Sequence, residues 1–216
     1  MRPGRLWWWI QRDCKRGGRA AWHDHVTSKK ILLWKHPGYP LAEVPVCVLT
    51  GRETWLLTCW MLASWTHFTE RSWKIVLHDD GTLTPEIISR LHAMFPHFSV
   101  VPLLESDAGM EPVLRTYPHC ATYRKQHPLA RKIFDVPFYC KEQRFILLDS
   151  DVLFFQKPVE ILQWVDSGSE ECRFNRDAQD ALLVSPAEAE AKFSVKLWPQ
   201  ANSGICLLYR PALDCQ

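Results

Sequence analysis

A chain of 216 residues with 47% hydrophobic and 23% charged side chains is long enough for one sizeable core, and too ordinary in composition to be disordered or fibrous. Its longest nearly apolar stretch, Trp55 to Trp65, falls far short of the about 20 residues that a membrane-spanning helix needs. A net charge of +2 leaves no electrostatic footprint for nucleic acid, so no nucleic-acid partner is expected.

The charge is unevenly placed. Residues 1–36 carry nine lysines and arginines against two acids, and the rest of the chain carries 17 against 22. Nine of the eleven tryptophans lie in the first 73 residues. Residues 1–43 therefore read as a basic, Trp-rich extension, either a poorly ordered leader or an appendage making weak contact with an anionic membrane surface through 1–36. A secretory leader is a poor fit, because the apolar run Leu6–Ile10 is shorter than the about 7–15 residues of such a core. Eight cysteines without a close pair exclude a zinc framework and point to free thiols in a reducing compartment, hence a cytoplasmic protein, peripheral at most to a membrane.

From residue 44 the pattern becomes regular, and 44–216 reads as one domain. Val44–Thr50 is a β-branched run stopped by Gly51, the pattern of a buried strand. Glu53–His67 is helix-length and apolar nearly all round, so it must be covered on more than one face. Trp73–Leu77 predicts a second strand ending at Asp79-Asp80-Gly81. Thr84 caps a helix with Pro85 at its first position and Pro96 behind it. Phe98–Val101 is a third strand. Residues 103–127, with two prolines, a glycine and no clean period, read as a loop-rich connection, followed by a short helix from Pro128 to about Asp135.

Arg144–Asp149 predicts the next central strand, Pro158–Val165 and Ala187–Phe193 predict helices, and Ser203–Tyr209 predicts a last strand. Ala181–Val184 fits a strand or a helix. The βαβαβ opening implies an α/β, Rossmann-like, mostly parallel sheet with flanking helices. Ligands of such sheets bind outside the carboxyl ends of the strands. Thr50-Gly51-Arg52, Asp79-Asp80-Gly81 and the segment after Leu148 then share one rim.

Asp149-Ser-Asp151 at the end of an apolar strand is the sharpest chemical feature. Two acids two residues apart can point at one divalent cation, Mn²⁺ or Mg²⁺, which prefers hard oxygen ligands and neutralises a diphosphate. The same string fits an aspartate-nucleophile phosphotransferase, although that class places this strand first in its fold. An ordinary strand-to-turn junction with solvated acids is the plainer reading.

The order of elements from about Val44 to Pro211 resembles the GT-A nucleotide-diphospho-sugar glycosyltransferases, family-8-like members in particular. Val46–Thr50 is similar to their first strand, Ile75–Gly81 to the second, Arg131-Lys132 to a basic pair near the diphosphate, Asp149-Ser-Asp151 to the DxD motif, and Asn202-Ser203-Gly204 to the turn beside the donor sugar. The resemblance implies a metal-dependent transferase with a nucleotide-diphospho-sugar donor, UDP-sugars first among them, and an acceptor it does not identify. It implies Asp149 and Asp151 on the metal, Asp79 or Asp80 on the nucleoside beside Thr50 and Arg52, Lys132 and Arg131 at the diphosphate, and Asn202, Ser203 and Gly204 at the sugar. Asp180, between the motif and Asn202, is a further candidate for donor or acceptor contact.

The residue types suit those roles, since a buried diphosphate needs countercharge and sugar hydroxyls need amide and carboxylate partners. Each also fits a plainer role: Asp79-Asp80-Gly81 is a good turn sequence, and Arg131 and Lys132 suit a solvated helix face. The chain stops at Gln216, twelve residues past Gly204, where the resemblance calls for acceptor elements. The expectation is thus a donor-binding half that is incomplete on its acceptor side, with a non-catalytic binding module as the alternative. His23-Asp24-His25 would place two imidazoles together on a strand. No P-loop, dinucleotide fingerprint or GxSxG elbow occurs.

Overall fold

The computed structural model describes residues 14–15, 17–178, 182 and 184–213. Six strands form one sheet: β1 (Val46–Thr50), β2 (Ile75–Asp79), β3 (Phe98–Val101), β4 (Arg144–Leu148), β5 (Arg173–Arg176) and β6 (Ala201–Tyr209). Their order is β3-β2-β1-β4-β6-β5. The first four pair parallel, and β6 runs antiparallel to both β4 and β5. Helices cover both faces, which is why all five residues of β1 are buried and apolar or nearly so.

On one face, α2 (Trp55–Thr69), α3 (Pro85–Met94) and α7 (Val159–Ser167) enclose the main core around Val46, Val48, Leu77, Ile146 and Leu148. The all-round apolarity of α2 has the expected cause. Its far side meets the segment before β1, where Ile31 is 2% exposed and the Trp60 indole N–H donates to the Ser28 carbonyl at 2.9 Å. Trp65 packs against Phe154, behind the end of β4, with ring centroids 4.9 Å apart. The Thr84 hydroxyl caps α3 by accepting from the Ile87 N–H. Ahead of β1, Gly18–Trp22 is a short helix, α1, and His23–Thr27 continues it as a π-turn. The His23-Asp24-His25 string is therefore not on a strand, and the side chains of Asp24 and His25 lie outside the described residues.

The opposite face carries α4 (Leu103–Leu114), α5 (Pro118–Gln126) and α6 (Arg131–Tyr139), with α6 over a smaller core of Cys47, Val136, Phe145, Leu147 and Leu208. Two helices thus replace the loop-rich connection expected over 103–127. Beside a short inward stripe on α4, a buried ionic knot holds them. Arg124 of α5 donates to both carboxylate oxygens of Asp135 of α6 at 2.6 and 2.8 Å and to Asp107 of α4 at 2.8 Å, with Ser106 in the same network. Ser106, Met110 and Leu114 supply the inward stripe of α4 at four-residue spacing. The helix from Pro128 also outruns its expected end: a 3₁₀ turn at Pro128–Ala130 leads into α6, which continues to Tyr139.

Strand β5 carries no apolar run of its own, being largely exposed, and forms because β6 offers it an edge. The helix α8 (Pro186–Phe193) opens with a capping box between Ser185 and Glu188. The expectation at Ala181–Val184 falls mostly outside the described residues. No helix among the described residues is long and apolar enough to cross a membrane.

Candidate functional site

Strand order reverses between β1 and β4, so the carboxyl ends of these two strands open the crevice where doubly wound sheets bind ligands. Being antiparallel, β6 brings its amino end, Asn202-Ser203-Gly204, to the same rim. The Asp149 N–H donates to the Gly204 carbonyl at 2.9 Å, placing the end of β4 directly against that turn. A methyl group on Gly204 would stand 2.9 Å from Asn202 Oδ1, so glycine makes room for that side-chain oxygen, while Asp149 Oδ2 at 3.8 Å lies at ordinary contact distance.

Lys132, in the first turn of α6, crosses the crevice and its Nζ forms an ion pair with Asp149 Oδ1. The two side chains are 12% and 26% exposed, which leaves the pair weakly screened. The Lys132 stem lines a largely apolar cavity of about 700 Å³ together with Leu147, Cys206, Phe174 and Ser203. Burial and the Asp149 charge push the Cys206 thiol up to about 12, with Lys132 acting in the opposite sense, so the thiol stays neutral beside this pair. Asp151, two residues beyond Asp149, is exposed on the rim.

Next to Lys132, Arg131 reaches the other way. Its Nη1 donates to the Asp80 carbonyl at 3.2 Å, and its Nε is buried without a partner. The first two residues of α6 thus span the crevice from the β2 turn to the end of β4. The β2 turn is closed by its own side chains. Asp79 Oδ1 accepts from the N–H groups of Gly81, Thr82 and Leu83 at 2.8 to 3.1 Å, and the Asp80 N–H donates to the Thr50 carbonyl. The Asp80 carboxylate lies against Gly51, where a Cβ would meet it at 2.0 to 2.2 Å, and it accepts from the Thr82 hydroxyl and N–H. Thr82 Oγ1 also receives the Arg52 N–H at 2.8 Å, while the Arg52 side chain is exposed.

Of the residues singled out from sequence, the structure gathers Asp149, Lys132, Asn202, Ser203 and Gly204 at the β4–β6 side of the crevice. It gathers Asp79, Asp80, Arg52 and Arg131 at the β1–β2 side. Thr50 turns its hydroxyl away from the crevice into a buried chain with Thr54, just ahead of α2, and Thr58 within it, and its carbonyl takes the Asp80 N–H. Asp180 lies outside the described residues.

Three further residues at or behind the rim were not singled out as site candidates from the sequence. Asp177 accepts from the Asn202 amide at 2.9 Å, while Asn202 Oδ1 receives the Gly204 N–H at 2.6 Å, so Asn202 braces the turn rather than pointing free. Gly51 reads in sequence only as a strand stop, yet it makes the space for Asp80. Behind the rim, His78 is 2% exposed and both its ring nitrogens lack partners. Burial pulls it down to about 4 against the opposing charge of Asp135.

No protein-family model matches this chain, and no curated protein is significantly similar to it in sequence. Among solved structures, the apo form of mouse xyloside xylosyltransferase 1 superposes with a TM-score of 0.55 at 13% identity, over 79% of this chain and 68% of that one. The apo structure of the bifunctional glycosyltransferase WbbM gives 0.49 at 13% identity, over 81% of this chain and 32% of that one. At such identity, the likeness to the xylosyltransferase establishes a shared fold. The chain is thus an α/β protein built on a six-stranded, mostly parallel sheet of the kind that a glycosyltransferase uses.

Proposed function

We propose that this chain is a nucleotide-sugar-binding GT-A-type domain that takes part in moving a sugar from a nucleotide-diphospho-sugar, a UDP-sugar in the first instance, to an acceptor. The observation that carries this reading is the convergence of Asp149, Lys132 and Gly204 at the strand-order reversal of a fold shared with a xylosyltransferase. A diphosphate needs countercharge on entering such a crevice, and Lys132 and Arg131 stand at its two sides. The locked Asp79-Asp80 turn presents carboxylate and backbone acceptors to a nucleoside edge. Asn202 and Gly204 form a tight backbone wall for the sugar.

The residues present also fit a divalent cation. Asp149 and Asp151 offer hard oxygens, and no group of three or more metal-binding side chains gathers among the described residues. That donor set suits Mn²⁺ or Mg²⁺ shared with the diphosphate, since such ions are held by one or two carboxylates plus phosphate oxygens. Bound there, the cation would supply Lewis-acid neutralisation of the leaving diphosphate. The remaining work falls to the chain itself: Lys132 and Arg131 balance charge, the Asn202 brace keeps the wall closed, and neutral Cys206 adds no competing anion.

The test is calorimetric titration of UDP in the presence of Mn²⁺ with the wild-type chain and with Asp151→Asn. The exposed position of Asp151 predicts unchanged thermal unfolding, together with loss of the Mn²⁺-dependent part of UDP binding. Unchanged affinity in the variant would remove Asp151 from the site.

A further inference from the structure

We infer that Lys132 keeps the Asp149 carboxylate closed to a divalent cation until a diphosphate arrives to take its ammonium, so that metal and nucleotide enter the site as a coupled pair. The inference rests on the donor-site reading above and adds an order of events to it.

In the structure the Lys132 ammonium sits on Asp149 Oδ1, one of the two oxygens this carboxylate could offer a cation. An ammonium at that position cancels one of the two negative charges of Asp149 and Asp151. Any second cation then meets a weakened, partly occupied site. The pair is only slightly open to solvent, so water and salt do little to relax this competition.

The two basic residues of α6 divide the work. Arg131 is anchored, with Nη1 on the Asp80 carbonyl and Nε buried, and it fixes the helix start to the β2 turn. Lys132 lines the cavity and holds the crevice only through its terminal ammonium, paired with Asp149. A lysine ammonium is a point charge with three rotatable donors, so it can exchange a carboxylate oxygen for a phosphate oxygen by small torsional changes. A diphosphate offers that exchange and simultaneously contributes its own oxygens to the cation. Each ligand then favours the other, and by linkage the effect is reciprocal.

The experiment measures Mn²⁺ binding to the full chain from the paramagnetic resonance signal of free Mn²⁺, with and without UDP. It compares wild type, Lys132→Met, Lys132→Gln and the double variant Lys132→Met/Asp149→Asn. Removing a charge-assisted contact of this kind predicts that either lysine variant binds Mn²⁺ alone about tenfold more tightly than wild type. The gain disappears in the double variant, and the enhancement of Mn²⁺ binding by UDP shrinks in the single variants. Unchanged or weaker Mn²⁺ binding in both lysine variants overturns the inference, as does a gain that persists without Asp149. UDP binding to wild type alongside such a result leaves the donor-site reading standing and sinks the inference alone. Absence of UDP binding with or without Mn²⁺ overturns both.

Discussion

Between Gly51 and the Asp80 carboxylate there is no room for another carbon atom, because a Cβ would stand 2.0 Å from Asp80 Oδ2. Gly51→Ala must therefore push Asp80 out of its contacts with Thr82 or shift the end of β1, at a cost of about 1–3 kcal/mol. Urea denaturation measures the loss, and Asp80→Ala in the same chain should recover most of it through coupling between the two sites. An alanine variant as stable as wild type would show that the turn is not the tight cradle described. His78 gives a second residue-scale expectation. Its folded pKa of about 4 lies below the ordinary histidine value, so the unfolded chain binds more protons in the interval between them. Stability is complete above about pH 6.5 and falls as pH drops toward 4, with about 2 kcal/mol lost by about pH 5. Denaturation across that range checks it, and His78→Phe should flatten the acid limb. An acid limb as steep in the variant as in wild type would assign the loss to other groups.

Elements differ in how much of themselves their own residues declare. Strands β1 to β4 and β6 carry apolar runs because each is buried by its own side chains, and α2 shows its double coverage in its all-round apolarity. The α4–α5 pair declares nothing of the kind. Pro112 and Gly109 argue against α4 locally, and what holds it is Arg124 meeting Asp107 and Asp135 from two other helices. Gly109 is explained by the same packing, since a Cβ there would come 2.3 Å from the Tyr139 hydroxyl. The apolar part of the α4 stripe is only Met110 and Leu114, interrupted by Pro112, and non-local ionic contacts leave no periodic trace, so 103–127 reads as loop. Because Asp135 is 1% exposed, Arg124→Met leaves a buried carboxylate without its main countercharge, at about 3–5 kcal/mol. Hydrogen exchange should then rise over 103–126 ahead of the sheet. Protection unchanged in those helices would mean that apolar packing alone holds them.

At the scale of the molecule, the rim was readable because strand-end acids, the basic pair and the Asn-Ser-Gly turn occur in an order that a parallel sheet brings together. The pairing of Lys132 with Asp149 was not readable, since it depends on α6 lying across β1. The brace from Asp177 to Asn202 depends on β5, an exposed edge strand without its own signal. What the fold adds is a single crevice at the β1–β4 reversal with cations on one helix and carboxylates on the facing strand ends. The direct test is calorimetric titration of UDP, GDP and their sugars into the full chain with Mn²⁺ and then with chelator. The account predicts binding of at least one of these nucleotides with Mn²⁺ that weakens or disappears when the metal is removed. A chain that binds none of them under either condition contradicts it.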